Sequence, residues 1–542
     1  MNKILAKTQG FIMAKQSSMV SSTLVLSSMI ILARLFGFVR YFILTNFFTV
    51  DQLDVYFAAF KIPDLIFEVL ISGALTTTLI PFFIKYQKDR TVLSRNISLI
   101  INFISICLFA LILILLVFMP YIMVFITPGF SKEKTDAVIY LSRILLIGQL
   151  PFLVIGNFLT GISQARKRFL IPALAPTVYN IAIILVTILF STNFHLQAPI
   201  IGVITGAFLF FIVQLPVIFY ADFDYRPILF KSKVLWDFFR IAVPRIFTVM
   251  VGQIEATIDL SLATLTGSGS YALYYLAQHL QLLPVSVIGI AFGQASLPYL
   301  SELYENNNIE EFKKIIISSI LNLFFFLIPI SLFLIFARTP IVRIFFGGDK
   351  FSLNNTNLTA LILSYFALSI PFHSIYYFLT RCFYAMFDSR TPFYISVFSI
   401  ILNAVLSLFF VLVLKLPVWS LALSFSLAMD VSVILLLIML NKKLGDMDFG
   451  SLIVESIKMA FASSVAAIIA YGVYKLFDQL IFDTTRTLNV LLLVGTITIV
   501  HFVLYLFLSW ALNISEFMII IKLLMKAKEY RRKIFEVYKG IE

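Results

Sequence analysis

The sequence predicts an all-α, polytopic membrane protein: about fourteen transmembrane helices, as two parallel-repeat six-helix lobes plus two extra C-terminal helices. Three observations lead there. Apolar residues make up 61% of the 542 and charged residues 13%, with a mean hydropathy of +1.00, more apolar surface than a water-soluble fold can cover. Apolar runs of about 20 residues, the length that crosses a bilayer, follow one another with only short loops between them. Finally, Pro151-Phe152, Ile155, Phe158-Leu159-Thr160, Ala165 and Pro172 return as Pro371-Phe372, Ile375, Phe378-Leu379-Thr380, Ala385 and Pro392, every spacing kept. The copies fall an even number of crossings apart, so the two lobes run the same way through the membrane.

Residues 1–17 carry Lys3, Lys7 and Lys15 but no apolar core with a cleavage site; no removable signal peptide is expected, and the segment stays cytoplasmic. Spans are expected near 19–47, 54–84, 97–120, 136–164, 170–192 and 198–220, forming an N-lobe over 18–221. A cytoplasmic linker, 222–237, leads to a C-lobe over 238–441. Its spans lie near 241–265, 270–302, 315–337, 357–385, 392–414 and 418–440. Spans 452–476 and 487–513, within 450–513, stand outside the repeat. After Asn513 apolar residues alternate with Lys522, Lys526, Lys528, Arg531, Arg532, Lys533 and Lys539, the pattern of an amphipathic helix lying on an anionic leaflet over 514–542.

With the N-terminus inside, the inner loops collect Lys85, Arg90, Arg95, Arg166 to Arg168, Arg226, Lys313, Arg390 and Lys442, while the outer loops are poor in basic residues. That bias predicts both termini in the cytoplasm. The net charge of +13 belongs to these loops and implies no nucleic-acid partner. Cys107 and Cys382 lie in apolar runs and predict neither a disulfide nor a metal site. No Gly-rich phosphate loop, paired metal-ligand spacing or nucleophile motif is present, so a transporter is expected and not an enzyme.

The first span holds Arg34 and Arg40, each costing roughly 2.5–3.5 kcal/mol at mid-helix unless it faces protein or water. At about 100° per residue, Arg34, Gly37 and Arg40 fall within one sector of roughly 120°, with Gly37 baring backbone between the cations. This reads as a cationic wall for an anionic substrate; the alternative is snorkelling to the interfaces. The second span carries Asp54, Lys61, Asp64 and Glu68 on one stripe, kinked at Pro63. The stripe is either a self-neutralised ladder bracing the kink or a polar strip along a substrate path. The seventh span carries Arg245, Gln253, Glu255 and Asp259. With Asn403 and Ser407 farther on, Asp259 is a candidate site for a monovalent cation. Gln278 and His279 in the eighth span are candidate substrate contacts, His279 equally a hydrogen-bonded core residue. Arg143 is a further cation at membrane depth.

Ala33-Arg34-Leu35-Phe36-Gly37-Phe38-Val39-Arg40 resembles the first-helix signature of the MurJ (MviN) lipid II flippases, of the multidrug/oligosaccharidyl-lipid/polysaccharide exporter superfamily. So do Asp54-Val55-Tyr56-Phe57-Ala58-Ala59-Phe60-Lys61-Ile62-Pro63-Asp64-Leu65, Pro172-Ala173-Leu174-Ala175-Pro176 with Asn180, and Phe383-Tyr384-Ala385 with Asp388. The resemblance implies a bacterial inner-membrane flippase that moves lipid II, an undecaprenyl-diphosphate glycolipid, from inner to outer leaflet by alternating access. It implies Arg34 and Arg40 as essential cations, Asp54 and Lys61 as second-helix polar positions, and the last two spans as a groove for the lipid tail. The rivals are a flippase for another polyprenyl-linked glycan and a cation-coupled drug antiporter. No cofactor is expected beyond Na+ or H+ as coupling ion. The expected partners are the glycolipid and the surrounding membrane lipids, with the protein a monomer. The sequence departs from the family pattern at Tyr41, where Asp is usual, at Ala33, at Phe67 in place of a basic residue, and at His279 in place of a third arginine.

Overall fold

In the computed structural model the described residues are 19–71, 79–86, 88–166, 168, 170–220, 223–230, 232–445, 447–482 and 487–518. The expected segment 1–17 and the basic tail from 519 onward lie outside them. Among the described residues every regular element is a helix, as the composition requires. The chain divides into two compact units, Met1–Tyr275 with Phe345–Asn355, and Leu276–Ile344 with Thr356–Glu542.

Unit 1 contains α1 (Met19–Phe47), α2 (Val50–Ala59), α3 (Lys61–Glu68), α4 (Ile80–Tyr86), α5 (Arg90–Ile126), α6 (Lys132–Gly148), α7 (Leu150–Ala165), α8 (Leu170–Phe194), α9 (Gln197–Gln214), α10 (Val217–Tyr220) and α11 (Lys233–Leu265). It also takes the first residues of α12 (Ser270–Pro284). Unit 2 continues from α12 through a π-helical turn (Val285–Ile290) into α13 (Ala291–Glu305), α14 (Ile309–Phe336), α15 (Arg338–Phe346) and α16 (Leu353–Ala385), except that the end of α15 and the start of α16, within Phe345–Asn355, belong to unit 1. There follow α17 (Arg390–Leu408), a second π turn (Phe409–Val413), α18 (Trp419–Leu444), α19 (Phe449–Leu480) and α20 (Thr487–Ala511). An apolar core through Phe312, Phe325, Phe378, Leu436, Met459 and Tyr505 joins α14, α16, α18, α19 and α20 within unit 2. In unit 1, α8 packs along both α9 and α1, and α11 packs on α5 and α3.

Eleven helices among the described residues are long and apolar enough to cross a membrane. They coincide with the expected spans other than 19–47, 54–84 and 241–265. Those remaining segments are the ones in which the sequence puts Arg34 and Arg40, the Asp54–Glu68 stripe, and Glu255 with Asp259. The second span is broken at Phe60, which ends α2 and begins α3, because Pro63 has no N–H to continue the helical ladder.

Four prolines at membrane depth, Pro63, Pro120, Pro329 and Pro371, share one compensation. Each removes the hydrogen bond to the carbonyl four residues before it, and in lipid that carbonyl has no water to turn to. For Pro63 the freed Ala59 carbonyl accepts from Ser142 Oγ at 2.9 Å. For Pro120 the Leu116 carbonyl accepts from Arg143 Nε at 3.1 Å. For Pro329 the Phe325 carbonyl accepts from Tyr505 Oη at 2.9 Å, and for Pro371 the Ala367 carbonyl accepts from Ser331 Oγ at 2.6 Å. Arg143, an unexplained cation in the sequence, thus has a structural task.

Loop contacts respect the order of crossings. In unit 1 the Asp349 amide donates to Asn46 Oδ1 at 2.9 Å and the Gly129 amide to Thr264 Oγ1 at 3.1 Å; all are loops expected outside. Arg90 pairs with Asp224 at 2.8 Å, and in unit 2 Lys443 pairs with Asp388 at 2.9 Å; these are loops expected inside. Loops of like parity therefore meet within each unit.

Candidate functional site

Unit 1 contains a cavity of about 430 Å³. Arg40 enters it from α1, held by the neighbouring Tyr41, whose ring centroid is 4.8 Å from the guanidinium carbon. Tyr41 itself is core, meeting Phe57, Tyr275 and Phe346 edge-on at 6.0, 6.2 and 6.4 Å. The position therefore packs, and the ring fixes the arginine through its face. The Arg40 Nε atom is buried and has no hydrogen-bond partner among the described residues. A buried cationic donor without a partner is costly, and an anion that reached it would relieve that cost.

The other walls are contributed helix by helix. The broken second span supplies Tyr56, Phe57 and Phe60 from α2 and its junction, then Asp64 and Phe67 from α3. Gln149 sits at the non-ideal junction between α6 and α7, and Asn157 and Thr160 follow on α7. Pro172, Pro176 and Tyr179 come from α8, Phe210 from α9 and Tyr275 from α12. Glycines set the helix spacing here. A Cβ at Gly206 would lie 2.8 Å from the Tyr179 carbonyl oxygen, and one at Gly156 would lie 2.7 Å from the Phe210 ring. So α8 and α9, and α7 and α9, approach closely enough to close the cavity wall.

Several polar groups of this cavity are unsatisfied. The Tyr56 hydroxyl and Gln149 Oε1 are buried without hydrogen-bond partners among the described residues. Gln149 Nε2 donates to the Tyr179 hydroxyl at 3.4 Å, which orients the amide. Asn157 and Thr160 are already engaged, with the Leu153 carbonyl and Gln214 Oε1 respectively.

The residues singled out in the sequence are distributed unevenly around this cavity. Arg40 lines it; Arg34, two turns earlier on α1, is exposed, and a Cβ at Gly37 would meet open space. Lys61 is buried beside the cavity, within electrostatic range of Asp259 and Asp64. Asp259 is buried and accepts from Tyr274 Oη at 3.0 Å. Asp54 is elsewhere: fully buried, it accepts from the Gly269 and Ala272 amides at 2.6 and 2.8 Å, at the N-terminus of α12, and from Lys134 Nζ at 3.2 Å. It caps a helix and compensates a lysine that also pairs with Asp51. Gln278, His279, Asn403 and Ser407 belong to unit 2, where Ser407 bonds Asn403 and Ser424 in a buried chain. Arg245 lies in α11, its side chain outside the described set.

Sequence reasoning passed over Tyr56, Gln149, Asn157 and Tyr179. Their signal was available, since amides inside apolar runs need partners, but uncharged groups attract less notice than arginines.

A family model described as Lipid II flippase MurJ matches residues 43–492. The probable lipid II flippase MurJ of Borreliella burgdorferi is 26% identical over 496 residues, 90% of this chain and 95% of that protein. That of Rickettsia prowazekii is 28% identical over 403 residues, 71% and 77% of the two chains. Among solved structures, a lipid II flippase MurJ in an inward closed conformation superposes with a TM-score of 0.75 at 24% identity, over 90% of this chain and all of that one. An inward-facing multidrug resistance MATE family transporter gives 0.68 at 13% identity, over 76% and 94%. These solved structures share the fold.

Proposed function

The chain belongs to the lipid II flippase MurJ family, and from that membership we propose that it carries lipid II from the inner to the outer leaflet of the bacterial cytoplasmic membrane. The observation that supports the chemistry is Arg40, a cation lining a cavity at membrane depth, with a buried Nε that has no partner among the described residues. A diphosphate offers several anionic oxygens, and a guanidinium presents its donors as a planar fork that can hold two of them. Arg34, exposed and about 9 Å along the same helix by its six-residue spacing, meets the headgroup as it arrives. Alternating exposure of the cavity to the two sides completes transport. The polyprenyl tail remains in lipid along α19 and α20, whose outward rows include Ile457, Phe461, Ile468, Ile499, Val503 and Phe507.

Asp259 is the candidate for ion coupling in this scheme. Lys61 stands in electrostatic range of it, so a bound Na+ or H+ would compete with that lysine for the carboxylate. A monovalent cation moving down 100 mV releases about 2.3 kcal/mol, enough to bias the cycle.

Complementation of a conditional lipid II flippase mutant tests the reading. Wild type is expected to rescue, and Arg40→Ala to fail at equal membrane abundance. Full rescue by Arg40→Ala would separate the cavity from transport.

A further inference from the structure

We propose that the turn between α16 and α17, with the exposed face of α17 behind it, is a docking surface for anionic phospholipid of the inner leaflet. The proposal takes the inside placement expected for this loop, and it does not depend on which substrate the protein carries.

The first observation is a backbone conformation imposed on a phenylalanine. At the end of α16 the Asp388 amide donates to the Phe383 carbonyl at 2.9 Å, and the Phe387 amide to the Tyr384 carbonyl at 3.0 Å. That pair of bonds is a Schellman turn, and it puts Phe387 at φ +57°, the left-handed position that glycine ordinarily fills because a Cβ is crowded there. The ring finds no shelter on the protein in return. Phe387 is 86% exposed, more than any other large apolar side chain among the described residues. An aromatic ring held outward from a crowded turn is accounted for by an apolar phase outside the protein.

Charge selects which phase. The acid of the turn, Asp388, is already neutralised by Lys443 at 2.9 Å and bonded by Thr391. Arg390 and Lys442 are exposed and make no ion pair among the described residues. Arg381 meets the Tyr384 ring at 5.5 Å. The turn is therefore left with a positive balance, which an anionic leaflet complements.

The face of α17 continues the same order into the membrane. At about 100° per residue, Arg390, Phe393, Tyr394 and Ile401 fall within one sector of roughly 100°, and all four are exposed. Read inward from the loop they give a cation, two aromatic rings and an aliphatic side chain, the order of phosphate, interface and acyl chain in a leaflet. Ile401 lies about 16 Å along the helix from Arg390, close to half of a hydrocarbon core of about 30 Å. A soluble partner could cover only the loop end of this face, whereas a phospholipid covers all of it.

The test uses full-length protein in neutral detergent, titrated with phosphatidylglycerol or phosphatidylcholine. Bound lipid is read by native mass spectrometry and unfolding by differential scanning fluorimetry. Wild type is expected to bind phosphatidylglycerol more tightly than phosphatidylcholine. Arg390→Gln should weaken phosphatidylglycerol about fivefold at low salt, the scale of one surface cation, and less at high salt. Phe387→Gly should weaken both lipids by about tenfold, yet melt no lower than wild type without lipid, because glycine takes the left-handed turn freely. Equal affinity of wild type for the two lipids overturns the proposal and leaves the face to a protein partner. Wild-type lipid affinity in Phe387→Gly overturns it too, as does a lower lipid-free melting temperature of that variant, since the ring would then be packing on the protein.

Discussion

Arg40 shows how a single side chain is placed for work at membrane depth. One face lies on Tyr41, and the buried Nε has no hydrogen-bond partner among the described residues. Because the guanidinium fork matters as well as its charge, Arg40→Lys should bind undecaprenyl diphosphate roughly tenfold more weakly than wild type. A titration in nanodiscs measures it, and equal affinity would reduce Arg40 to a point charge. Asp388, between α16 and α17, is a residue of another kind. Partial burial works against its ionisation, but the Thr391 amide and hydroxyl and the Lys443 ammonium outweigh that and bring its pKa down to about 2. A depressed carboxyl contributes stability above its unfolded value of about 4, and loses that contribution as pH falls through the folded one. Between about pH 4 and pH 2, therefore, wild type should lose melting temperature more steeply than Asp388→Asn, as differential scanning fluorimetry would show. Parallel curves would mean that Thr391 and Lys443 do not act on it.

Among the helices, the freed proline carbonyls are the element-scale counterpart. Pro63 breaks the second span and aims α3 at the cavity, and the break is tolerable because Ser142 on α6 covers the Ala59 carbonyl. Ser142→Ala should destabilise the protein by about 1–3 kcal/mol through that orphaned acceptor, while Ser142→Thr keeps the hydroxyl; unfolding in denaturant distinguishes them. An unchanged midpoint for the alanine variant would mean the carbonyl finds another donor. Gly206 acts on the cavity wall instead. Gly206→Ala sets a methyl 2.8 Å from the Tyr179 carbonyl oxygen, so α8 must shift, at about 1–3 kcal/mol, and lipid II affinity should fall with it. Of these prolines, Pro63 was legible in the sequence as a kink. Their donors were not, because Ser142, Arg143, Ser331 and Tyr505 are far away in the chain and look ordinary there.

At the scale of the whole molecule, the span order and basic loops predict which ends face the cytoplasm, and cysteine substitutions can read it. On a background lacking Cys107 and Cys382, cysteines placed at Asp89 and Asp448 should react with an impermeant thiol reagent only after the membrane is opened. Cysteine at Gly267 should react in intact spheroplasts; the opposite pattern would invert the topology. The sequence by itself determined the class and the helical content, because bilayer thickness and backbone hydrogen bonding leave so few solutions to a chain this apolar. It also determined that Arg40 needs a polar surrounding, since the penalty for a bare cation is large wherever the helix goes. Only the tertiary structure decided that Asp54 caps α12, that Arg143 serves a proline, and that Gln149, Tyr56 and Tyr179 meet around Arg40. Those assignments depend on which groups find partners, and partners come from helices whose contacts no local pattern encodes.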